Sequence, residues 1–219
     1  DLNLENYADV LSVDNVYRAT LLRTAWVLLV TLVPIFLLAV PSAYALAKKV
    51  RRRWVKFAVL LILALPFFAG PMVRIIAITS LLSINGGVNT ALTSLGLIQE
   101  PMGGLLFSRF AVIVGLVYNN FGLVLFPTWL AFEQVKDDEI AAARDLGIGR
   151  AGVFWRVIAP RATTGILAGI VLVVVSISGA FLEPQRLGGT TPRLAADVIT
   201  NQFLRTVNWP LGSAIAVVL

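Results

Sequence analysis

The 219-residue chain has no cysteine and no histidine. The first absence excludes a disulfide framework and thiolate chemistry; the second removes the commonest metal ligand and the usual general base near neutral pH. Hydrolase and metalloenzyme readings therefore lose their ordinary reagents. Charge is scarce too, at 14% Asp, Glu, Lys and Arg where soluble domains carry about 25%. No fixed-period repeat and no low-complexity segment is visible. What is abundant is apolar: 58% of residues are hydrophobic and the mean hydropathy is +0.86. A water-soluble globule of this size could not hide so much apolar surface, so the excess must face lipid or an apolar partner.

Marking the charges leaves uncharged stretches at residues 24–47, 110–132 and 162–182, each close to the roughly 20 residues that cross a bilayer core. In the last, Gly165 and Gly169 have the G-x-x-x-G spacing of close helix approach, although glycines tolerated by chance would look the same. A further span is expected from about Trp54 to Arg74, kinked by Pro66 and Pro71 and continuing, interrupted, to about Ser83. The apolar run Leu211–Leu219 is too short to cross and reads as a truncated final helix. The start at Asp1, with no Met or signal-peptide pattern and a polar, amphipathic first 18 residues, reads as a chain lacking an N-terminal piece. The expected fold is an all-α polytopic membrane protein with about four full spans, forming one domain over residues 1–219.

The net charge of +6 is a topology signal. Two loops hold eleven basic residues: Lys48, Lys49, Arg51, Arg52, Arg53 and Lys56 in one, and Lys136, Arg144, Arg150, Arg156 and Arg161 in the other. The opposite side holds six, Arg18, Arg23, Arg109, Arg186, Arg193 and Arg205, with Arg74 left over. The positive-inside rule puts the two basic loops in the cytoplasm. The arginines at 51–53 then read as a lipid headgroup anchor rather than a nucleic-acid site, since they sit a few residues from the bilayer. Opposite lie the turn-forming segments Asn85-Gly86-Gly87, Pro101-Met102-Gly103-Gly104 and Gly188-Gly189-Thr190-Thr191-Pro192, interleaved with apolar residues and so expected to be ordered.

The second basic loop carries the most information. A helix is expected from Asp137, with Asp137, Asp138 and Glu139 at its positive end, alanines at 141–143, and Gly147 where a left-handed cap would fall. Ile140, Ala143 and Gly147 share one face, with Ala142 and Leu146 beside them, giving an exposed apolar ridge of the kind that docks into a groove. A second amphipathic turn, Val153–Ile158, leads to Pro160, which is expected to open the next span.

This loop resembles the permease subunits of binding-protein-dependent ABC importers, whose signature is E-A-A-x-x-x-G followed after nine residues by I-x-L-P. The matching positions are Ala141-Ala142-Ala143, Gly147, Val157, Ala159 and Pro160. Besides the conservative Val157 for Ile, two positions depart from the pattern. The leading Glu is Ala141, so that residue's salt bridge to the ATPase is not carried over, with Glu139 as the candidate substitute; the Leu before Pro is Ala159. The segments NGGVNTALTSLGL (85–97) and SGAFLEPQRLGG (178–189) resemble the spermidine/putrescine branch, and the likeness runs over nearly the whole chain.

The resemblance implies a type I importer transmembrane domain in a bacterial inner membrane. Its coupling helix, about 137–149, with Glu139, Ala142, Ala143, Arg144, Asp145, Leu146, Gly147 and Gly149 as the contacting residues, would sit in a cleft of a cytoplasmic ATPase. It also implies a second permease subunit, a pair of ATPase subunits, an extracytoplasmic substrate-binding protein, and a polyamine or related organic cation as substrate. These 219 residues contain no G-x-x-x-x-G-K-[ST] to cradle nucleotide phosphates. ATP and Mg²⁺ are accordingly expected on the partner ATPase, with no cofactor or metal in this chain, which is read as non-catalytic.

The rival class is an ion-coupled carrier or channel, which would place ionisable groups at mid-membrane. Arg74 is the only charge near a span interior, and a residue at a helix end reaching to the interface explains it. Asp137 with Asp138 is explained by the helix dipole rather than by catalysis. Tyr118, Asn119 and Asn120 fall in mid-span, where polar groups are costly against lipid, so they either bond neighbouring helices or line the substrate path. Glu183 follows the last full span at the outer mouth. The topology is testable by cysteine labelling, because each introduced thiol is unique. Arg52→Cys and Ala151→Cys should react only from the cytoplasmic side, and Gly87→Cys and Gly189→Cys only from outside. Labelling of Arg52→Cys from outside would invert the orientation.

Overall fold

The computed structural model describes residue 10, residues 16–189 and residues 194–219. Most of the amphipathic N-terminal segment, and Thr190, Thr191, Pro192 and Arg193, lie outside them. Among the described residues all regular structure is helical. Helix α1 (Val16–Tyr44) ends in a π-helical turn (Ala45–Lys49), and α2 (Arg53–Phe68), α3 (Pro71–Leu82) and α4 (Gly87–Ser94) follow. Then come α5 (Arg109–Gln134), α6 (Asp137–Asp145) and α7 (Arg150–Ser178), and finally α8 (Leu182–Leu187), α9 (Ala195–Leu204) and α10 (Trp209–Val218). Four stretches are long and apolar enough to cross a membrane: Tyr17–Lys49, Pro71–Ser94, Arg109–Gln134 and Arg150–Ser178.

The number of spans matches expectation, but the second is composed differently. Instead of one kinked helix through Pro66 and Pro71, the chain breaks at Ala69–Gly70 and restarts with Pro71 in the first turn of α3. Proline's fixed φ and missing N–H suit that position and disfavour helix in the residue before it. Helix α2, at 16 residues, is about 24 Å long, short of the roughly 30 Å hydrocarbon core. Arg74 accordingly lies half-buried in the first turn of a new helix rather than at the end of an old one.

Pro160 also lies elsewhere than expected. The last span begins at Arg150, and Pro160 falls inside it, directly after a π-helical turn over Phe154–Ile158. The Ala159 N–H bonds the Phe154 carbonyl five residues back. Proline cannot serve the carbonyl four residues before it and its ring crowds that turn, and a widened turn absorbs both.

The described residues divide into two compact units. In the unit of residues 32–69 and 120–175, Ala43, Ala47, Phe132, Val135, Ala143, Val153, Ile158 and Ala162 form a buried cluster at the end that carries the basic loops. Tyr44 sets its ring edgewise to both Phe132 and Phe154, with centroids 5.6 and 5.4 Å away. Further along, Gly165 and Gly169 of α7 lie against α5. A methyl group on Gly165 would come within 2.6 Å of Ala131 Cβ, and one on Gly169 within 2.9 Å of Val124 Cα. The G-x-x-x-G is therefore a close-approach face. Helix α2 buries no residue, and Phe68 is 84% exposed; apolar on every side, it needs lipid or another apolar surface around it.

In the unit of residues 70–119 and 176–219 with the chain up to Thr31, polar side chains hold the short helices. Asn89, 1% exposed, donates to the carbonyls of Ser83 and Met102 and accepts from the Met102 N–H at 2.9 Å. It ties Ser83, before α4, and Met102, after it, to that helix. Thr24 of α1 accepts the Ala195 N–H at 2.9 Å, capping α9 from 171 residues away, and donates to the Thr20 carbonyl. Asn208 caps α10 by accepting from the Leu211 N–H.

The α5–α7 contact can be tested directly. Gly165→Val overpacks it and should cost about 1–3 kcal/mol, whereas Gly104→Val, whose Cβ meets nothing within 4 Å, should be near neutral. Thermal unfolding in detergent checks this, and equal midpoints for the two variants would remove the contact from the account.

Candidate coupling surface and polar span cluster

At nine residues, α6 is too short to persist alone in water. Its N-terminus carries Asp137, Asp138 and Glu139, favourable toward the dipole, although Lys136 at the N-cap makes no side-chain bond. Its C-terminus closes through Gly147 at φ +78°. The Gly147 N–H bonds Arg144 O at 2.8 Å and the Ile148 N–H bonds Ala143 O at 3.2 Å, the paired bonds of a Schellman motif. Ile148 then packs on the cluster that contains Ala143. The expected cap is thus in place, with the helix ending at Asp145.

Which face points outward differs from the sequence reading. Ala143 is 7% exposed inside the buried cluster, and Ile140 packs against it. The outward apolar surface is Ala142 with Leu146, the latter 81% exposed, flanked by Arg144, Asp145 and Gly149. The helix must bury something to stay folded, and a nine-residue helix has only one face to give.

Three ion pairs surround this seat. Lys48, at the end of α1, donates to the Val135 carbonyl just before α6 and lies 3.9 Å from the exposed Asp137. Lys56 of α2 binds Glu133 of α5 through both carboxylate oxygens, at 2.7 and 2.9 Å. Arg161 of α7 reaches Glu139 at 3.2 Å. Glu139 is thus already engaged within the chain. Nothing in the sequence singled out Lys48, Lys56, Glu133 or Arg161 as anchors; they are ordinary loop-side charges until the helix ends meet.

In the other unit, the structure joins two residues that sequence spacing left 64 apart: Asn119 of α5 donates to Glu183 of α8 at 2.6 Å. Glu183 Cγ would also touch a methyl placed on Gly115, one turn away on α5. Asn119 Oδ1 is buried with no bond of its own. Tyr118 is exposed. Asn120 is buried in the other compact unit. The expected trio therefore separates: Asn119 meets Glu183, and its neighbours point elsewhere. Among the described residues there is no cluster of His, Cys, Asp and Glu able to hold a metal.

A helical multi-pass membrane protein with a short, rigidly seated helix between two spans is the architecture of a transporter permease. Residues 24–219 match the model of the binding-protein-dependent transport system inner membrane component family, and the chain belongs to that family. It is 33% identical over 216 residues to the spermidine/putrescine transport system permease protein PotB of Escherichia coli K12, covering 99% of this chain and 77% of that one. It is 36% identical over 158 residues to PotB of Haemophilus influenzae, covering 72% and 55%. The inner membrane ABC transporter permease protein YdcU of E. coli is 27% identical over 210 residues, covering 90% and 66%. The fold matches that of a bacterial ABC transporter involved in the import of the acidic polysaccharide alginate, at TM-score 0.71 and 15% identity, over 99% of this chain and 78% of that one. The chain is therefore a multi-pass inner membrane permease of an ABC importer.

The seat of α6 rests on apolar burial more than on its ion pairs. Glu139 and Arg161 have side chains 30% and 62% exposed, so solvent screening leaves the pair worth under about 1 kcal/mol. Glu139→Gln should move the thermal midpoint by less than about 4 °C. Ala143→Asp, which puts an unpaired charge into the cluster, should move it by more than twice as much. The reverse order would make the ion pair the principal fastening.

Proposed function

We propose that residues 1–219 form one transmembrane permease domain that moves a polyamine or related organic cation inward, driven by ATP hydrolysis on a separate cytoplasmic ATPase. Residues 137–149 are its coupling segment. The observation that carries this reading is the outward Ala142–Leu146 surface on a helix closed by Gly147 and seated through Ala143. It offers an apolar docking face at a fixed position, and short amphipathic helices recognise grooves in this way.

Force applied to α6 has defined routes into the spans. Lys48 links its entry to α1, Arg161 links Glu139 to α7, and the shared cluster joins it to α5 through Phe132. A shift of α6 therefore shifts three span ends together. In this scheme Glu139 holds the helix to α7 as an internal strut, while Ala142, Arg144, Asp145, Leu146, Gly147 and Gly149 meet the ATPase. The ATPase pair holds ATP and Mg²⁺, and a second permease subunit completes the pathway. An extracytoplasmic binding protein delivers the substrate.

The substrate class rests on the permease relatives named for spermidine and putrescine, together with a half-buried carboxylate, Glu183, held toward α5 by Asn119. A carboxylate whose neighbouring amide still has an unused acceptor suits an ammonium group, which brings only donors.

The experiment is reconstitution of the complete transporter in proteoliposomes. Leu146→Glu and Gly147→Asp should each lower ATPase co-purification at least about tenfold, as expected for a charge placed in an apolar contact. Gly147→Ala, whose methyl meets nothing within 4 Å, should keep most of the association, losing only the roughly 1 kcal/mol of a non-glycine residue at positive φ. ATP-dependent uptake should favour spermidine or putrescine over sulfate and fall in Glu183→Gln. Full association in Leu146→Glu would remove α6 as the coupling element, and uptake of sulfate alone would end the cation assignment.

A further inference from the structure

A crevice of about 890 Å³ opens beside α6, in the unit of residues 32–69 and 120–175, and of its basic residues the coupling scheme uses only Lys48 and Arg144. Its walls are the end of α1, the connection to α2, the α5–α6 junction and the start of α7. Seven lysine and arginine residues line it against three carboxylates. Two of the cations, Lys48 and Lys56, are committed to Asp137 and Glu133. The other five, Lys49, Arg51, Lys136, Arg144 and Arg150, are exposed and in no salt bridge among the described residues. Chain segments far apart in sequence thus bring uncompensated positive charge to one concave place, the arrangement that recognises an oxyanion.

The level of these charges identifies the oxyanion. Lys49 is the last residue of one span and Arg150 the first of another, and Lys136 lies two residues past the end of a third at Gln134. Each is at or just beyond a helix end on the basic side of the spans, the side on which anionic headgroups attract Lys and Arg. Helix α2, whose Lys56 lines the crevice, buries no residue and exposes Trp54 and Phe57 from its first turn. That surface suits acyl chains, with a tryptophan at the interface. We propose that the crevice binds the phosphate headgroup of an anionic phospholipid, with Lys49, Arg51, Lys136 and Arg150 as its ligands. The bound headgroup neutralises the charge beside Arg144 and so steadies the seat of α6; this consequence, unlike the binding itself, rests on the coupling reading above.

The shared chemistry is a phosphate oxyanion, so the test separates a lipid headgroup from free phosphate. The full-length protein in phosphatidylcholine nanodiscs is titrated with phosphatidylglycerol, and lipid retention is read by native mass spectrometry. Lys49→Gln/Arg51→Gln/Arg150→Gln should weaken phosphatidylglycerol retention at least about tenfold, because charge-assisted phosphate contacts are lost. Arg156→Gln, an exposed basic residue on the same side of the spans but outside the crevice, should change it less than about twofold if the site is local. Equal losses in both variants would mean diffuse surface charge and overturn the site. If the triple variant does not fold, a decline of about threefold or more in Arg51→Gln alone, an exposed loop position, supports the proposal and an unchanged retention overturns it. Displacement of the lipid by millimolar inorganic phosphate would make the ligand a soluble anion. Loss of the ATPase from the triple variant with lipid retention intact would make the crevice a protein contact. Failure of the unsubstituted chain to associate with any ATPase would defeat the coupling reading while leaving the lipid titration to stand or fall by itself.

Discussion

A bilayer supplies no hydrogen-bonding solvent, so each polar group carried among the spans must find its partner inside the protein or at the membrane edge. That constraint explains the all-helical backbone, which satisfies its own N–H and C=O groups, and it explains where the polar side chains lie. Thr24 serves both the Thr20 carbonyl and the Ala195 N–H. Asn89 serves three backbone groups at once. Asn119 and Glu183 serve each other. In each case a polar side chain substitutes for water, and in doing so it joins segments distant in the chain.

Two glycine devices divide the remaining work. Gly165 and Gly169 matter for the side chain they lack, which lets α7 meet α5 backbone to backbone where Pro127 leaves the carbonyl of Leu123 without its helical partner. Gly147 matters for the backbone angle it tolerates, which turns the chain at the end of α6 and brings Ile148 down onto the cluster. One brings spans together, and the other aims a surface helix. The two π-helical turns, Ala45–Lys49 and Phe154–Ile158, flank the same cluster. Both turns contribute residues to its packing: Ala47 from the first, and Phe154, Val157 and Ile158 from the second.

Much of this could be read from residues in order. The number of spans, the charge asymmetry and the cap at Gly147 are local properties, governed by runs of apolar residues or by one residue's conformational freedom, and each is legible in the residues themselves. The fate of Pro71 and Pro160 is not. Proline signals an interruption, but whether the chain breaks, as at Ala69–Gly70, or continues through a widened turn, as at Phe154–Ile158, depends on what packs against it. The outward face of α6 is hidden from the sequence for a related reason. Ile140, Ala143 and Gly147 do share a side, but periodicity does not say whether that side meets the protein or the outside.

The sequence by itself determined that this is a helical membrane protein, which loops are basic, and that a capped helix stands between the last two full spans, because hydropathy, charge and glycine conformation act over a few residues at a time. Only the tertiary structure decided that Ala143 is the seat and Leu146 the exposed surface, that Asn119 bonds Glu183 while Tyr118 and Asn120 turn elsewhere, and that lysines and arginines from separate loops line one crevice. Those outcomes depend on packing between segments tens of residues apart, and burial of an apolar side chain is a property of its neighbours in space, which no local pattern contains.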